Sequence, residues 1–365
     1  MRKKQDLPLL IAVILLLLFG LVMIYSASSI WAEYKFHDAF HYVKQQSLFT
    51  VAGLLLVAIV CKIDYRIYLK KANIILGICF LLLILVLVPF IGSVRNGSRS
   101  WFGIGSFGIQ PSEFAKLGMI IFTSKYLSYS NKFLKSYRKG VFPILLIAIL
   151  LFGLIMLQPD LGTGLVLMMS VISLLFIAGV NMKFFYIMGI IGVAGVIVLI
   201  IIAPYRMDRI TSFLNPWQDP LGTGFQMIQS MYAIGPGGLL GQGFLQSRQK
   251  HFYLPEPQTD FIFSIICEEF GVLGAFFVCF LFFIILYRSI KIALKASDPF
   301  AKYLSFGMIF QMLFQAVMNL CVVVGLIPVT GVTLPFLSYG GSSLLISMIS
   351  IGILLNISTQ QRSEW

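Results

Sequence analysis

Apolar residues run through this chain in long blocks, most of them parted by short polar connections. A helix rises 1.5 Å per residue and a bilayer core is ~30 Å thick, so a span needs roughly 17–25 mainly apolar residues. Blocks of that kind fall at 8–26, 46–62, 72–92, 111–129, 141–158, 161–179, 183–203, 261–287, 303–327 and 340–357. The pattern predicts an all-α integral membrane protein of about ten transmembrane helices, one polytopic domain over residues 1–365. Only Gln158, Pro159 and Asp160 part the fifth block from the sixth, which predicts a tight helical hairpin.

One stretch breaks the rhythm. Residues 204–260 form a long polar segment, expected as a large extracellular loop between helices 7 and 8. A loop of such length inside a compact protein is usually functional. Pro204, Pro216, Pro220 and Pro236 punctuate it, and Phe225 to Ile234 reads as an amphipathic helix lying at the membrane interface, with Phe225, Ile228 and Tyr232 on one side.

Composition narrows the class. The chain is 59% hydrophobic and 11% charged, against about 25% charged residues in soluble domains, so no segment is polar enough to cover a soluble domain. The net charge of +13 raises nucleic acid as a partner, but the placement of the basic residues answers it. With the N-terminus inside, the inner side receives Arg2, Lys3, Lys4, Lys62, Arg66, Lys70, Lys71, Lys125, Lys132, Lys135, Arg138, Lys139, Lys183, Arg288, Lys291, Lys295, Lys302 and Arg362. The outer side receives Lys35, Lys44, Arg95, Arg99, Arg206, Arg209, Arg248 and Lys250, which is 18 against 8, with Lys116 inside a helix completing the 27. This is the positive-inside distribution, and it places both termini in the cytoplasm. The basic excess then reflects topology and contact with anionic membrane lipids, and no nucleic-acid partner is expected. No small-residue cleavage site follows the first block, so it reads as a retained helix and not a signal peptide. The five cysteines lie in or beside apolar blocks and read as buried small hydrophobes.

Ionisable groups inside spanning segments are costly and are functional candidates by default. Glu113 and Lys116 stand three residues apart on one face at the outer start of the fourth block. Asp160 opens the sixth block and Asp260 the eighth, with Glu268 and Glu269 further in. All gather in the outer half of the membrane, facing the long loop. Each has a plainer reading. Asp160 and Asp260 suit helix capping, Glu113 and Lys116 mutual neutralisation, Glu268 and Glu269 bonds to neighbouring helices. The Ser338–Ser343 run suits a packed helix entrance. From these residues alone the reading is an outer-leaflet site of open chemistry.

Longer motifs specify more. Asn96-Gly97-Ser98-Arg99-Ser100-Trp101, Gln110-Pro111-Ser112-Glu113-Phe114-Ala115-Lys116, Gln158-Pro159-Asp160-Leu161-Gly162-Thr163 and the run from Arg209 to Trp217 stand in order along the chain. Gly222 to Gln226, Leu254-Pro255-Glu256-Pro257-Gln258-Thr259-Asp260-Phe261-Ile262-Phe263 and Thr333 to Ser343 continue the series. Together they resemble the SEDS (shape, elongation, division, sporulation) proteins over nearly the whole chain, most of all the FtsW and SpoVE branch. The short segment after the last block leans towards the sporulation type.

The resemblance implies a ten-helix peptidoglycan glycosyltransferase that polymerises lipid II at the outer face of the plasma membrane. It implies a class B penicillin-binding protein, a single-pass transpeptidase, as partner, and it places the essential acid on Asp260. A general base there suits the chemistry, because the acceptor hydroxyl must lose a proton as it attacks the anomeric carbon. The pyrophosphate leaving group calls for cations. Arg99, Lys116, Arg206, Arg209, Arg248 and Lys250 are available, with Lys116 and Arg209 favoured. Glu113 is expected to position Lys116 and Glu256 to orient the loop; Asp160, Ser342 and Ser343 complete the substrate-binding candidates. No Asp-x-Asp motif occurs, so no cofactor is assigned, and a divalent cation is compatible without having residues of its own. Two other functions fit a polytopic protein of this kind: a lipid II flippase and a non-enzymatic scaffold for a transpeptidase.

Overall fold

The computed structural model describes residues 5–95, 97–103, 108–129, 140–202 and 204–360, with the backbone alone at 199, 202 and 204–206. Arg2, Lys3, Lys4, Asn96, Lys132, Lys135, Arg138, Lys139 and Arg362 lie outside the described residues, as does the side chain of Arg206.

The chain is an integral membrane protein built from helices. Those that match the predicted blocks are Leu7–Phe36 (α1), His41–Val60 (α2), Arg66–Leu87 (α3), Pro111–Tyr129 (α4), Phe142–Met156 (α5), Leu161–Ile177 (α6) and Met182–Ile202 (α7). Then come Pro204–Leu214 (α8), Phe225–Ile234 (α9), Ile262–Leu294 (α10), Pro299–Val323 (α11) and Gly341–Thr359 (α12). Among the described residues six of these, α1, α2, α3, α10, α11 and α12, are long and apolar enough to cross a membrane. Their outward faces carry large apolar side chains such as Leu18, Leu55, Ile74, Leu81, Phe276 and Phe283, which only lipid or another apolar surface would cover.

Two expectations on the elements change. The fold is not purely helical, because Ser93–Arg95 (β1) and Ser98–Trp101 (β2) pair as an antiparallel hairpin. Gly97, with φ +79°, lies in the turn between them. The first helix also runs ten residues beyond its apolar block, ending only where His37 turns left-handed at φ 53°. Apolar blocks measure the membrane-crossing part of a helix, whereas the helix itself continues until its backbone bonds are broken.

α11 lies at the centre, against α4, α6, α9, α10 and α12. The chain between α11 and α12 is not helical, yet Leu334, Phe336 and Leu337 within it are buried. Non-helical backbone among packed spanning helices is tolerated only when the protein itself satisfies its polar groups. Here Gln315, Asn319, Arg209 and Gln46 donate to the carbonyls of Thr333, Val332, Val329 and Ser338. α6 approaches this segment closely. A Cβ at Gly162 would lie 2.7 Å from Thr330 O and 2.4 Å from the Val332 side chain, so the glycine of the Gln158–Thr163 motif permits the contact.

Residues 204–260 are more ordered than the word loop implies. α9 spans the residues predicted, but it buries Met227, Ile228, Ser230 and Ala233 and leaves Tyr232 half exposed. Of the predicted side of Phe225, Ile228 and Tyr232, only Ile228 is fully buried. The helix packs on α10 and α11, and Ser230 Oγ bonds Ser264 Oγ at 2.8 Å and Val323 O at 2.8 Å. α10 is broken at Gly271 (φ 60°, ψ −152°), where a Cβ would stand 2.6 Å from Gly238 O. The loop supplies the helical bonds lost at the break. Val272 N and Leu273 N donate to Gly238 O and Leu239 O, while Gln242 N and Gly243 N donate to Glu268 O and Glu269 O.

Candidate active site

Asp260 lies one residue before the N-cap of α10, which is Phe261 and has no side-chain cap bond. The capping reading therefore holds for one aspartate and fails for the other. Asp160 caps α6, its Oδ1 accepting from Thr163 N at 3.1 Å, and its Oδ2 accepts from Gln110 Nε2 at 2.9 Å. Among the described residues the Asp260 carboxylate accepts no hydrogen bond from the protein, and the side chain is half-buried. Its main chain, by contrast, is firmly held. Asn319 Nδ2 donates to Asp260 O at 2.7 Å, and Tyr339 N donates to the carbonyl of nearby Gln258 at 2.8 Å. The backbone is fixed and the acid is left open.

Charges far apart in sequence meet here. Burial pushes the Asp260 carboxyl up to about 6, the negative charges of Glu256 and Asp160 add to the rise, and Arg209 opposes it. Arg209, exposed on α8, donates from Nη1 to Val329 O at 3.0 Å. The turn at 329–333 forms one side of the site, and a Cβ at Gly331 would lie 3.7 Å from Asp260 Oδ2. Glu256 sits on the surface four residues before Asp260, its carbonyl accepting from Thr259 N and Thr259 Oγ1. Arg99 is half-buried on β2, opposite Val94.

The remaining predicted residues lie deeper. Lys116 Nζ donates to Glu113 Oε1 at 2.9 Å and to Gln315 Oε1 at 2.7 Å, with all three residues buried. Ser342 is also buried, accepting from Gln110 N at 2.9 Å and donating to Gly108 O at 3.2 Å. Ser343 Oγ meets Gln315 Nε2 at 3.2 Å and Thr333 Oγ1 at 3.2 Å. Lys250, counted among the outer cations, is not on the surface. It is buried and pairs with Glu269 Oε1 at 3.2 Å, an oxygen that also accepts from Ser26 Oγ at 2.5 Å. Glu268 accepts from Ser247 Oγ at 2.5 Å and from Arg248 N at 2.8 Å. The two glutamates thus bind the 204–260 segment, and Glu269 also makes the expected bond to a neighbouring helix, α1.

The family model described as cell cycle protein, for FtsW, RodA and SpoVE, matches residues 7–363. The chain belongs to the FtsW, RodA and SpoVE family. It is 52% identical to stage V sporulation protein E of Bacillus subtilis (strain 168) over 361 residues, covering 99% of each chain. It is 42% identical over 364 residues to a probable peptidoglycan glycosyltransferase FtsW of Geobacter sp. (strain M18), again covering 99% of both. A solved structure described as the structural coordination of polymerization and crosslinking by a peptidoglycan synthase complex matches with a TM-score of 0.80 and 32% identity, covering 99% of each chain.

Within this family member, sequence reasoning passed over Gln315 and Asn319. Both are neutral, so a search for ionisable groups in the spans does not find them. A signal was nevertheless present: two amides four residues apart share one face of an apolar helix, where an unpaired amide is costly.

For a reaction in which Asp260 is the base, a carboxyl at about 6 has a kinetic consequence. A base works only when deprotonated, and an acid held near neutrality is well matched to proton transfer at physiological pH. The turnover rate is expected to fall as pH drops through about 6, approaching a tenfold loss per unit below it. A rate profile from pH 5 to pH 8 under saturating substrate checks this. A flat profile across that range would remove Asp260 from the proton transfer.

Proposed function

We propose that this chain is a peptidoglycan glycosyltransferase that polymerises lipid II at the outer face of the plasma membrane, for division or spore-cortex wall synthesis. Asp260 acts as the general base. The observation that carries the reading is an open carboxylate on a clamped backbone, with no structural bond of its own and with Arg209 beside it. The acceptor hydroxyl oxygen attacks the donor's anomeric carbon and gives its proton to Asp260. The new glycosidic bond forms as the bond to the polyprenyl pyrophosphate breaks. Exposed Arg209 is the cation best placed to meet the charge that gathers on the leaving group. Arg99 and Arg206 are assigned to the same role, and Glu256 to orienting the loop beside Asp260. Asp160 shapes the far side through Gln110, and Glu113, Lys116, Ser342 and Ser343 support the substrate cavity from beneath.

The reading includes ten spans, both termini in the cytoplasm, and the 204–260 segment outside. The partner is a class B penicillin-binding protein, whose transpeptidase would cross-link the strands as they form. Support comes from the basic-residue asymmetry and from the likeness to a structure of a peptidoglycan synthase complex. Purified protein with its partner and labelled lipid II provides the test. Glycan product is expected. Translocation of lipid II without product would indicate a flippase, and neither activity a scaffold.

A further inference from the structure

We infer that Gln315 and Asn319 are positioning residues that tie the buried Glu113–Lys116 pair to the backbone of Asp260. The inference rests on Asp260 being the base. Gln315 and Asn319 stand one turn apart on the central helix α11, and both are buried. Buried amides are costly to leave unpaired, and although Asn319 Oδ1 has no partner among the described residues, the partners of the other amide atoms are informative. Gln315 accepts from Lys116 Nζ at 2.7 Å through Oε1 and donates from Nε2 to Thr333 O at 3.0 Å. Asn319 Nδ2 donates to two carbonyls, Val332 O at 2.8 Å and Asp260 O at 2.7 Å. Because both acceptors are carbonyls, the orientation of that amide is set by chemistry.

These bonds make one continuous path. It runs from Glu113 to Lys116, to Gln315, to Thr333, across one peptide bond to Val332, to Asn319 and to Asp260. The same two side chains also fix the turn whose Gly331 faces the Asp260 carboxylate, while Arg209 holds its start at Val329. Lys116 then acts on catalysis from a distance. Its ammonium is buried and bonded to Glu113 and Gln315, and its influence reaches the base through α11 and the 329–333 turn.

The test is steady-state polymerisation of lipid II by full-length protein with its transpeptidase partner in membranes. Asn319→Ala and Gln315→Leu are expected to lower kcat by about 10²-fold, the scale of loss when a reacting group is displaced by about 1 Å. KM for lipid II is expected to stay within about threefold, as for an interaction that serves only the transition state. Gln315→Glu separates positioning from folding. It keeps the side-chain shape and the acceptor for Lys116 but, ionised beside that ammonium, has no proton to donate to Thr333 O, so it should assemble with the partner as wild type does and still lose kcat. Combining Lys116→Met with Asn319→Ala should cost no more than the worse single change if they share one path; independent roles would multiply. Wild-type kcat in both Gln315→Glu and Asn319→Ala, or multiplying losses, would overturn the inference. Asp260→Asn in the same assay keeps the two claims apart. If it is inactive while the amide variants are normal, only the relay is wrong; if it is fully active, the assignment of the base is wrong.

Discussion

Asp260→Asn is expected to abolish glycan polymerisation while leaving the amount of protein in the membrane and its association with the transpeptidase unchanged. The substitution is nearly isosteric and removes only the ability to take a proton. A positioned general base contributes roughly 10²–10⁴-fold. Folding should tolerate the change because the carboxylate neither caps α10 nor, among the described residues, accepts a hydrogen bond. The main-chain clamp from Asn319 to Asp260 O survives in the variant. Labelled lipid II assayed with purified wild-type and variant protein gives the answer. Full activity in the asparagine variant would refute the role proposed for Asp260.

The second large effect concerns stability. Glu269→Ala is expected to destabilise the fold by about 3–5 kcal/mol, the cost of leaving a buried cation uncompensated. Lys250 and Glu269 are both enclosed, and the same carboxylate oxygen takes bonds from Ser26 Oγ on α1 and from Ser247 N at 3.3 Å. Three separate parts of the chain therefore depend on one side chain: α1, α10 and the 204–260 segment. The main-chain bonds of the 238–243 segment to the break at Gly271 are unaffected by the substitution. Thermal unfolding of the solubilised protein, followed by loss of the monodisperse species, reads the change. Pairing it with Lys250→Met should recover most of the loss, because an apolar replacement for both partners leaves no stranded charge. If Glu269→Ala unfolds at the wild-type temperature, the pair does not hold the loop in place.

Much of the architecture was legible along the chain. The apolar blocks anticipate the long helices, Phe225–Ile234 is helical at the residues expected, and Asp160 caps its helix. The Glu113–Lys116 pair forms with the predicted spacing. Each of these is decided within a helical turn or two, by periodicity, capping or side chains three residues apart, so the relevant physics lies between neighbours in sequence. Where local patterning misled, the tertiary environment prevailed. Lys250 reads as a cation of the long loop because nothing near it in sequence reveals Glu269 and Ser26.

By itself, then, the sequence determined a helical membrane protein, the approximate position of its long apolar helices, and the family motif that carries Asp260. Only the tertiary structure decided that Asp160, Arg209, Glu256 and Asp260 share one electrostatic environment, and that α11 presents two amides to the main chain around the acid. The bond of Asn319 to Asp260 O joins residues 59 positions apart, and that of Lys116 to Gln315 joins residues 199 apart. No repeat or propensity encodes such pairings; they arise because buried polar groups must find partners wherever the packed helices bring them.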